Sequence, residues 1–407
     1  MSKTLHDKAL AYHQEGMPGK INVSSHKKLD NDQDLSLAYS PGVAAPVREI
    51  VKDPSAVNKY TIKGNLVAVI TDGSAVLGLG NVGPLAAKPV MEGKAVLFKR
   101  FAGIDVFNIE LDTQDVDEIV NTIKNIAPTF GGINLEDISA PRCFEIERRL
   151  IEELDIPVFH DDQHGTAIIV AAGLLNALEI QEKNYKKVKV VCAGAGSAGI
   201  ATLKLLLELG FKKSNILLVD RNGVVSTESK NLSKEKLFFA SKTNKKTLDE
   251  AINGSDVFIG VARGNLVTQD MIKSMAERPI VFALSNPDPE ISPADVYACR
   301  DDVLMATGRS DYPNQVNNVL GFPYIFRGAL DANSKIINTE MKIAAVHALK
   351  DLVKAKAPKE LIEIYKDSSL TFGRDYFIPK PFDPRLIKII PKAIFDAAVA
   401  SGASRQK

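Results

Sequence analysis

Short runs of consecutive apolar, often β-branched residues alternate along the chain with segments whose apolar positions recur every three or four residues. The first pattern reads as strands buried on both faces, the second as helices packed along one side. Leu66 to Thr71, Ile104 to Ile109 and Ile156 to His160 are expected strands, and Cys143, Ile146, Leu150, Ile151 and Leu154 mark a helix opened by Pro141. A second series begins near Gln163 with a helix through Leu178, a strand from Val188 to Cys192, a helix from Ser197 through Leu209 and a strand from Ile216 to Asp220. Strands at Val257–Val261, Ile280–Leu284 and Val303–Ala306 continue it. Ile337, Met341, Ala344, Ala345, Ala348 and Leu352 then form the stripe of a long helix, and a Pro-rich tail from Ile378 ends in a shorter one.

Alternating strand and helix signals predict parallel sheets and an α/β protein. We expect an α/β N-terminal substrate and catalytic domain over residues 1–161, then a Rossmann-type doubly wound dinucleotide-binding domain over 162–339. The tail, 340–407, is expected to fold back onto the first domain. A length of 407 residues suits this organisation at roughly 150 residues per domain. Lys+Arg 51 against Asp+Glu 50 leaves a net charge of +1, which supplies no electrostatic footprint for nucleic acid or anionic membrane. The uncharged run Thr166 to Leu178 is too short to span a bilayer. A polar N-terminus and three unpatterned cysteines (Cys143, Cys192, Cys299) fit a reduced, cytoplasmic setting.

The sharpest motif is Gly194-Ala195-Gly196-Ser197-Ala198-Gly199, which follows one expected strand and opens the next helix. In that context Gly194 allows the tight turn, Gly196 lets backbone approach a pyrophosphate, and Gly199 lets helix pack on strand. Asp220 ends the following strand, where a carboxylate can accept from ribose hydroxyls; it disfavours a 2′-phosphate, while the adjacent Arg221 could neutralise one. NAD or NADP is therefore expected, with NAD favoured. A second glycine repeat, Gly78, Gly80 and Gly83, lacks the Rossmann context and reads either as a simple turn or as a loop facing the cofactor across a cleft.

Two acidic pairs, Glu136-Asp137 and Asp161-Asp162, each follow a strand-like run. Ligands of open α/β sheets sit outside the carboxyl ends of strands, so these tips could hold one hard divalent cation; helix capping is the alternative use of the same residues. His160-Asp161-Asp162-Gln163-His164 begins as strand, so its histidines are expected to pack or hydrogen-bond rather than bind zinc. Lys94 lies in a largely apolar stretch where desolvation would lower its ammonium pKa toward that of a general base. Tyr39, before Ser40-Pro41-Gly42, could present a phenol as proton donor or simply pack.

Taken together, Ala38-Tyr39-Ser40-Pro41-Gly42, Thr71-Asp72-Gly73 with Leu77-Gly78-Leu79-Gly80-Asn81, Met91-Glu92-Gly93-Lys94, Asn134-Leu135-Glu136-Asp137, Phe159-His160-Asp161-Asp162-Gln163-His164-Gly165-Thr166, Leu284-Ser285-Asn286-Pro287 and Asn317-Asn318 resemble the malic enzyme family in its short bacterial form. The resemblance implies oxidative decarboxylation of (S)-malate to pyruvate and carbon dioxide with NAD or NADP and Mg2+ or Mn2+. It implies Tyr39 as proton donor, Lys94 as base and substrate contact, Glu136, Asp137 and Asp162 as metal ligands, and Asp161 as a further catalytic-site residue just outside the ligand set. Asn286 and Asn318 are implied at the substrate or the nicotinamide end of the cofactor. One departure is that Ser74-Ala75-Val76 stands where larger relatives carry a substrate-binding arginine. An NAD(P)-dependent dehydrogenase of another hydroxy or amino acid, acting without decarboxylation, remains the alternative. A homodimer or higher homo-oligomer is expected, because the arm before Tyr39 has little apolar periodicity of its own and could cross to a partner.

Overall fold

The computed structural model describes residues 4–76 and 78–406. Leu77, within one of the motifs quoted above, lies outside the described residues.

The first domain is a parallel sheet of four strands, β1 (Leu66–Thr71), β2 (Asp105–Glu110), β3 (Gly132–Leu135) and β4 (Val158–His160), in the order β2-β1-β3-β4. All six residues of β1 are buried, as expected for a strand covered on both faces. Its alternate side chains feed two cores. Val67 and Val69 face the large one with Phe98, while Leu66, Ala68 and Ile70 meet Ile119, Ile123 and Ile146 of the helices Val116–Ile126 and Arg142–Glu153.

The second domain is a sheet of six strands, β5 (Val190–Ala193), β6 (Ile216–Asp220), β7 (Gly223–Val224), β8 (Val257–Gly260), β9 (Ile280–Ala283) and β10 (Leu304–Thr307), in the order β10-β9-β8-β5-β6-β7. Every pairing is parallel except the short β6–β7 hairpin. The order reverses between β5 and β8, the switch point at which a doubly wound sheet opens a ligand crevice.

The helix Asp161–Ile180 leaves β4 directly and carries buried residues on all sides, among them Ile168, Val170 and Leu174. It lies in one continuous core with Val67 of the first sheet and Val190 and Phe282 of the second, so the two domains share their interior. The tail rests on both domains. Its helix Leu386–Ala400 packs against Phe322–Asp331 and Thr339–Leu352, and Arg405 pairs with Asp155 of the first domain at 2.7 Å. Phe377 meets Phe282 of β9 at a centroid distance of 6.4 Å, a seat on the second domain made by the burial of Phe377 and Ile378. Among the described residues no helix is long and apolar enough to cross a membrane.

Candidate active site

Parallel pairing decides where the acidic residues meet. Asn134 and Leu135 of β3 stand opposite Phe159 and His160 of β4, so Glu136-Asp137 and Asp161-Asp162 emerge from the same carboxyl edge. Ligand oxygens of Glu136, Asp137 and Asp162 lie within 4.8 Å of one another. The Asp137 backbone is left-handed, with φ 54°, and its N–H donates to Asp162 Oδ2 at 2.7 Å, which ties the two acidic tips together. Asp161 and Asp162 also occupy the first turn of Asp161–Ile180, where the helix dipole favours negative charge.

Lys94 arrives from the helix Pro84–Ala102. Its Nζ lies 2.6 Å from Asp161 Oδ2 and 2.8 Å from Glu136 Oε1, and 4.1 Å above the Phe322 ring. Asn318 donates through Nδ2 to Asp161 Oδ2 at 3.1 Å and accepts from Thr166 Oγ1 at 3.1 Å. The second domain thus supplies a side chain to the carboxylate that holds Lys94.

Burial among like charges governs the electrostatics. Desolvation, with Asp162, Asp161 and Asp137 adding to it, pushes the Glu136 carboxyl well above the usual range, against the pull of Lys94. Desolvation and Asp162 raise Asp137 to about 8. Burial would also raise Asp162, but His160 beside it holds its carboxyl below the usual range. Asp137 Oδ2 is buried without a hydrogen-bond partner among the described residues. An orphaned carboxylate oxygen within three converging acidic groups fits a hard divalent cation, which would relieve both the repulsion and the missing partner.

For Lys94 the expectation of a lowered pKa is overturned in this arrangement. Burial acts in that direction, but Asp161 and Glu136 outweigh it and hold the ammonium above the ordinary lysine range.

The start of the glycine motif, Gly194 to Gly196, lines a cleft of about 880 Å³ at the end of β5 and β6, within the size range of small-molecule sites. A Cβ on Gly194 would lie 2.6 Å from the Val261 carbonyl oxygen, and one on Gly199 only 1.9 Å from the Gly194 carbonyl oxygen, whereas the space over Gly196 is open. Ala195 borders the same cleft, while Ser197 and Ala198 begin the helix Ser197–Glu208, whose free amides favour an anion. At the far end Asp220 is already ion-paired, with Lys236 Nζ 2.6 Å from Oδ2, and Arg221, Lys246 and Arg263 line the same wall.

Other expected site residues are less directly engaged. Tyr39 is 71 % exposed and ends the helix Asp32–Ala38; its hydroxyl has no hydrogen bond among the described residues and stays outside the Lys94 cluster. Asn286 follows β9, and a Cβ on Gly78 would lie 3.1 Å from its carbonyl oxygen, so that glycine loop abuts the second domain. Gly80 has open space beside it, and Gly83 caps the helix that bears Lys94. Where larger relatives are expected to carry an arginine, Ser74 is bound by Arg142, whose Nη2 lies 2.9 Å from both Ser74 Oγ and Asp72 Oδ2. The His160 backbone N–H and the His164 ring both meet Glu147, a buried residue that the sequence pattern did not single out, while the His160 ring faces Gln163 and Asp162. The signal for Glu147 was present, since it interrupts the apolar stripe of Cys143, Ile146 and Leu150.

A doubly wound sheet with a glycine-rich βα turn, opening beside a buried carboxylate cluster, is the build of a dinucleotide-dependent oxidoreductase. Residues 18–151 match the family described as malic enzyme, N-terminal domain, and residues 163–367 match the malic enzyme NAD binding domain. The chain belongs to the malic enzyme family. It is 56 % identical to the NADP-dependent malic enzyme of Halomonas elongata, over 98 % of this chain and 94 % of that protein. It is 51 % identical to an NAD-dependent malic enzyme of Rhizobium meliloti, over 99 % of this chain and 52 % of that one. The expected advantage of NAD is not supported, since relatives of this chain include both NADP-dependent and NAD-dependent enzymes. The crystal structure of malic enzyme from Pyrococcus horikoshii superposes with a TM-score of 0.91 at 44 % identity, covering 99 % of this chain and 93 % of that one. The chain spans about half the length of several of the curated relatives it matches.

Proposed function

We propose that the chain catalyses oxidative decarboxylation of (S)-malate to pyruvate and carbon dioxide, coupled to reduction of a nicotinamide dinucleotide and dependent on Mg2+ or Mn2+. The observation that carries this reading is the convergence of Glu136, Asp137 and Asp162 beside Lys94, with Asn318 of the dinucleotide domain bonded into the same cluster. A cation held by the three carboxylates would supply Lewis-acid chemistry at the substrate oxygens, and the nicotinamide would accept the hydride.

The remaining work falls to this chain's side chains. Lys94 Nζ is the group suited to receive the C2 hydroxyl proton, provided its ammonium first releases its own proton to solvent, a loss made easier once the negative charge of Glu136 is engaged by a cation. Asp161 keeps Lys94 aimed at the cluster, and Asn318 keeps Asp161 aimed at Lys94. Tyr39 would return a proton to C3 after loss of the C4 carboxylate. The test is malate-dependent cofactor reduction with Mn2+, with and without EDTA, and with carbon dioxide measured. Reduction without carbon dioxide release would favour a plain dehydrogenase instead.

We infer that NADP is preferred to NAD. Support comes from the Lys236–Asp220 ion pair, which neutralises the carboxylate that would repel a 2′-phosphate, and from Arg221, Lys246 and Arg263 on the same wall. Lys236→Ala is expected to raise KM for NADP about tenfold or more, the equivalent of ~1.4 kcal/mol, with KM for NAD changed less than about threefold. Equal losses with both cofactors would remove Lys236 from this role.

The working form is proposed to be a homo-oligomer in a cytoplasmic setting. Leu5, Leu10, Met17, Val23, Leu37 and Val51 of the N-terminal region are all more than half exposed, more apolar surface than an isolated arm normally leaves in water. Tyr39 belongs to the same exposed region, so we propose that it serves a neighbouring copy's Lys94. Tyr39→Phe and Lys94→Ala preparations should each be nearly inactive, and dissociating and reassociating an equal mixture should restore about a quarter of wild-type activity, since half of randomly formed dimers then hold one intact site of two. No recovery would mean that Tyr39 acts within its own chain.

A further inference from the structure

Glu147 stands in the buried stripe of the helix Arg142–Glu153, at a position where its neighbours Cys143, Ile146 and Leu150 are apolar and fully buried. A carboxylate there loses its water and must recover hydrogen bonds from the protein. All of them come from one place, the junction between β4 and the helix Asp161–Ile180. Oε1 accepts the His160 backbone N–H at 2.9 Å, Oε2 accepts Gln163 Nε2 at 3.0 Å, and His164 Nε2 lies 2.8 and 3.0 Å from the two oxygens. Burial pushes the Glu147 carboxyl up, but His164 and then Lys342 outweigh it and hold the group at about 2, so it is charged at neutral pH.

This junction is the segment that carries Asp161 and Asp162. The helix begins there without a side-chain cap, so its entry angle depends on what grips the residues around it. Gln163 Nε2 also reaches His160 Nδ1 at 2.9 Å, and His160 Nε2 stands 3.0 Å from Asp162 Oδ2, off the line of a hydrogen bond. Lys342 completes the far side, with Nζ 3.2 Å from His164 Nδ1. A chain of contacts therefore runs from Lys342 through His164, Glu147 and His160 to Asp162.

We propose that Glu147 is a positioning residue for the metal centre, gripping the β4–helix junction so that Asp162 stays within reach of Glu136 and Asp137. The proposal rests on the three-carboxylate reading of the metal site. It extends that reading to a residue that touches neither substrate nor cation.

The experiment is direct Mn2+ binding to the metal-stripped full chain, read by the electron paramagnetic resonance signal of free Mn2+, in parallel with activity. Glu147→Gln keeps the volume but turns an amide NH2 toward three donors. It is expected to weaken Mn2+ binding by about tenfold, within the ten- to hundredfold typical of outer partners of metal ligands, with kcat at saturating Mn2+ changed far less. A purely structural role would lower the melting temperature without moving Mn2+ affinity in the folded protein, and that result overturns the proposal. If Glu147→Gln does not fold, Gln163→Met removes one grip and leaves the Glu147–His164 pair; weakened Mn2+ binding then supports the proposal and wild-type binding overturns it. Asp162→Ala separates the two levels. If it binds Mn2+ like wild type, the metal reading itself fails; if it loses binding while Glu147→Gln does not, only the role of Glu147 fails.

Discussion

Replacing Asp162 by alanine is expected to abolish metal-dependent turnover, with kcat/KM at millimolar Mn2+ falling by more than about a hundredfold, beyond the range seen for outer partners of metal ligands. Two losses combine. The cluster drops from three converging carboxylates to two, too few fixed oxygens to compete with water for a hard cation. The second loss is geometric, because Asp162 Oδ2 accepts the Asp137 N–H at 2.7 Å and so helps keep Asp137 in its left-handed conformation. Asp162→Asn keeps an acceptor for that N–H and removes only the charge. If charge is what holds the cation, the asparagine variant should fail nearly as badly as alanine; near-normal Mn2+ titration of either variant would contradict the assignment.

Lys94→Ala is expected to lower kcat by about a hundredfold or more, the usual contribution of a positioned proton-transfer group. Mn2+ binding should survive or tighten, because the substitution removes a cation lying 2.8 Å from Glu136. That contrast separates loss of the base from collapse of the site. Lys94→Arg should not rescue turnover, since a guanidinium retains the positive charge near Asp161 and Glu136 but does not give up its proton. An alanine variant with unchanged kcat would remove Lys94 from the proton-transfer role.

Some elements were legible to the residue. β1 and β6 begin and end where continuous apolar runs predict, since both are bounded by polar residues and buried in parallel sheet. Others shifted by a residue or two, as in Val190–Ala193, because the ends of a ladder are set by neighbouring strands as well as by the strand itself. The helix Pro84–Ala102 was obscured by Pro89 and Gly93, and burial of Ala87, Met91, Ala95 and Phe98 overrides their poor helix propensity. That helix matters because it delivers Lys94. The ribose-end chemistry was half legible: Asp220 was visible at its strand end, but its neutralising partner Lys236 comes from a separate helix whose approach no local pattern encodes.

By itself the sequence determined the alternation of strand and helix, the glycine turn for a dinucleotide, and the acidic residues at two strand ends. Each follows from local steric and hydrophobic rules acting over a few residues. Only the tertiary structure decided that β3 and β4 are parallel neighbours in register, which converts two separate acidic pairs into one cluster. It alone decided that Lys94 is held charged rather than neutral, because the sign of its pKa shift depends on which carboxylates come within hydrogen-bond distance. Coulomb interactions act through space, and chain positions as distant as Lys94 and Asp161 become neighbours only when the fold closes.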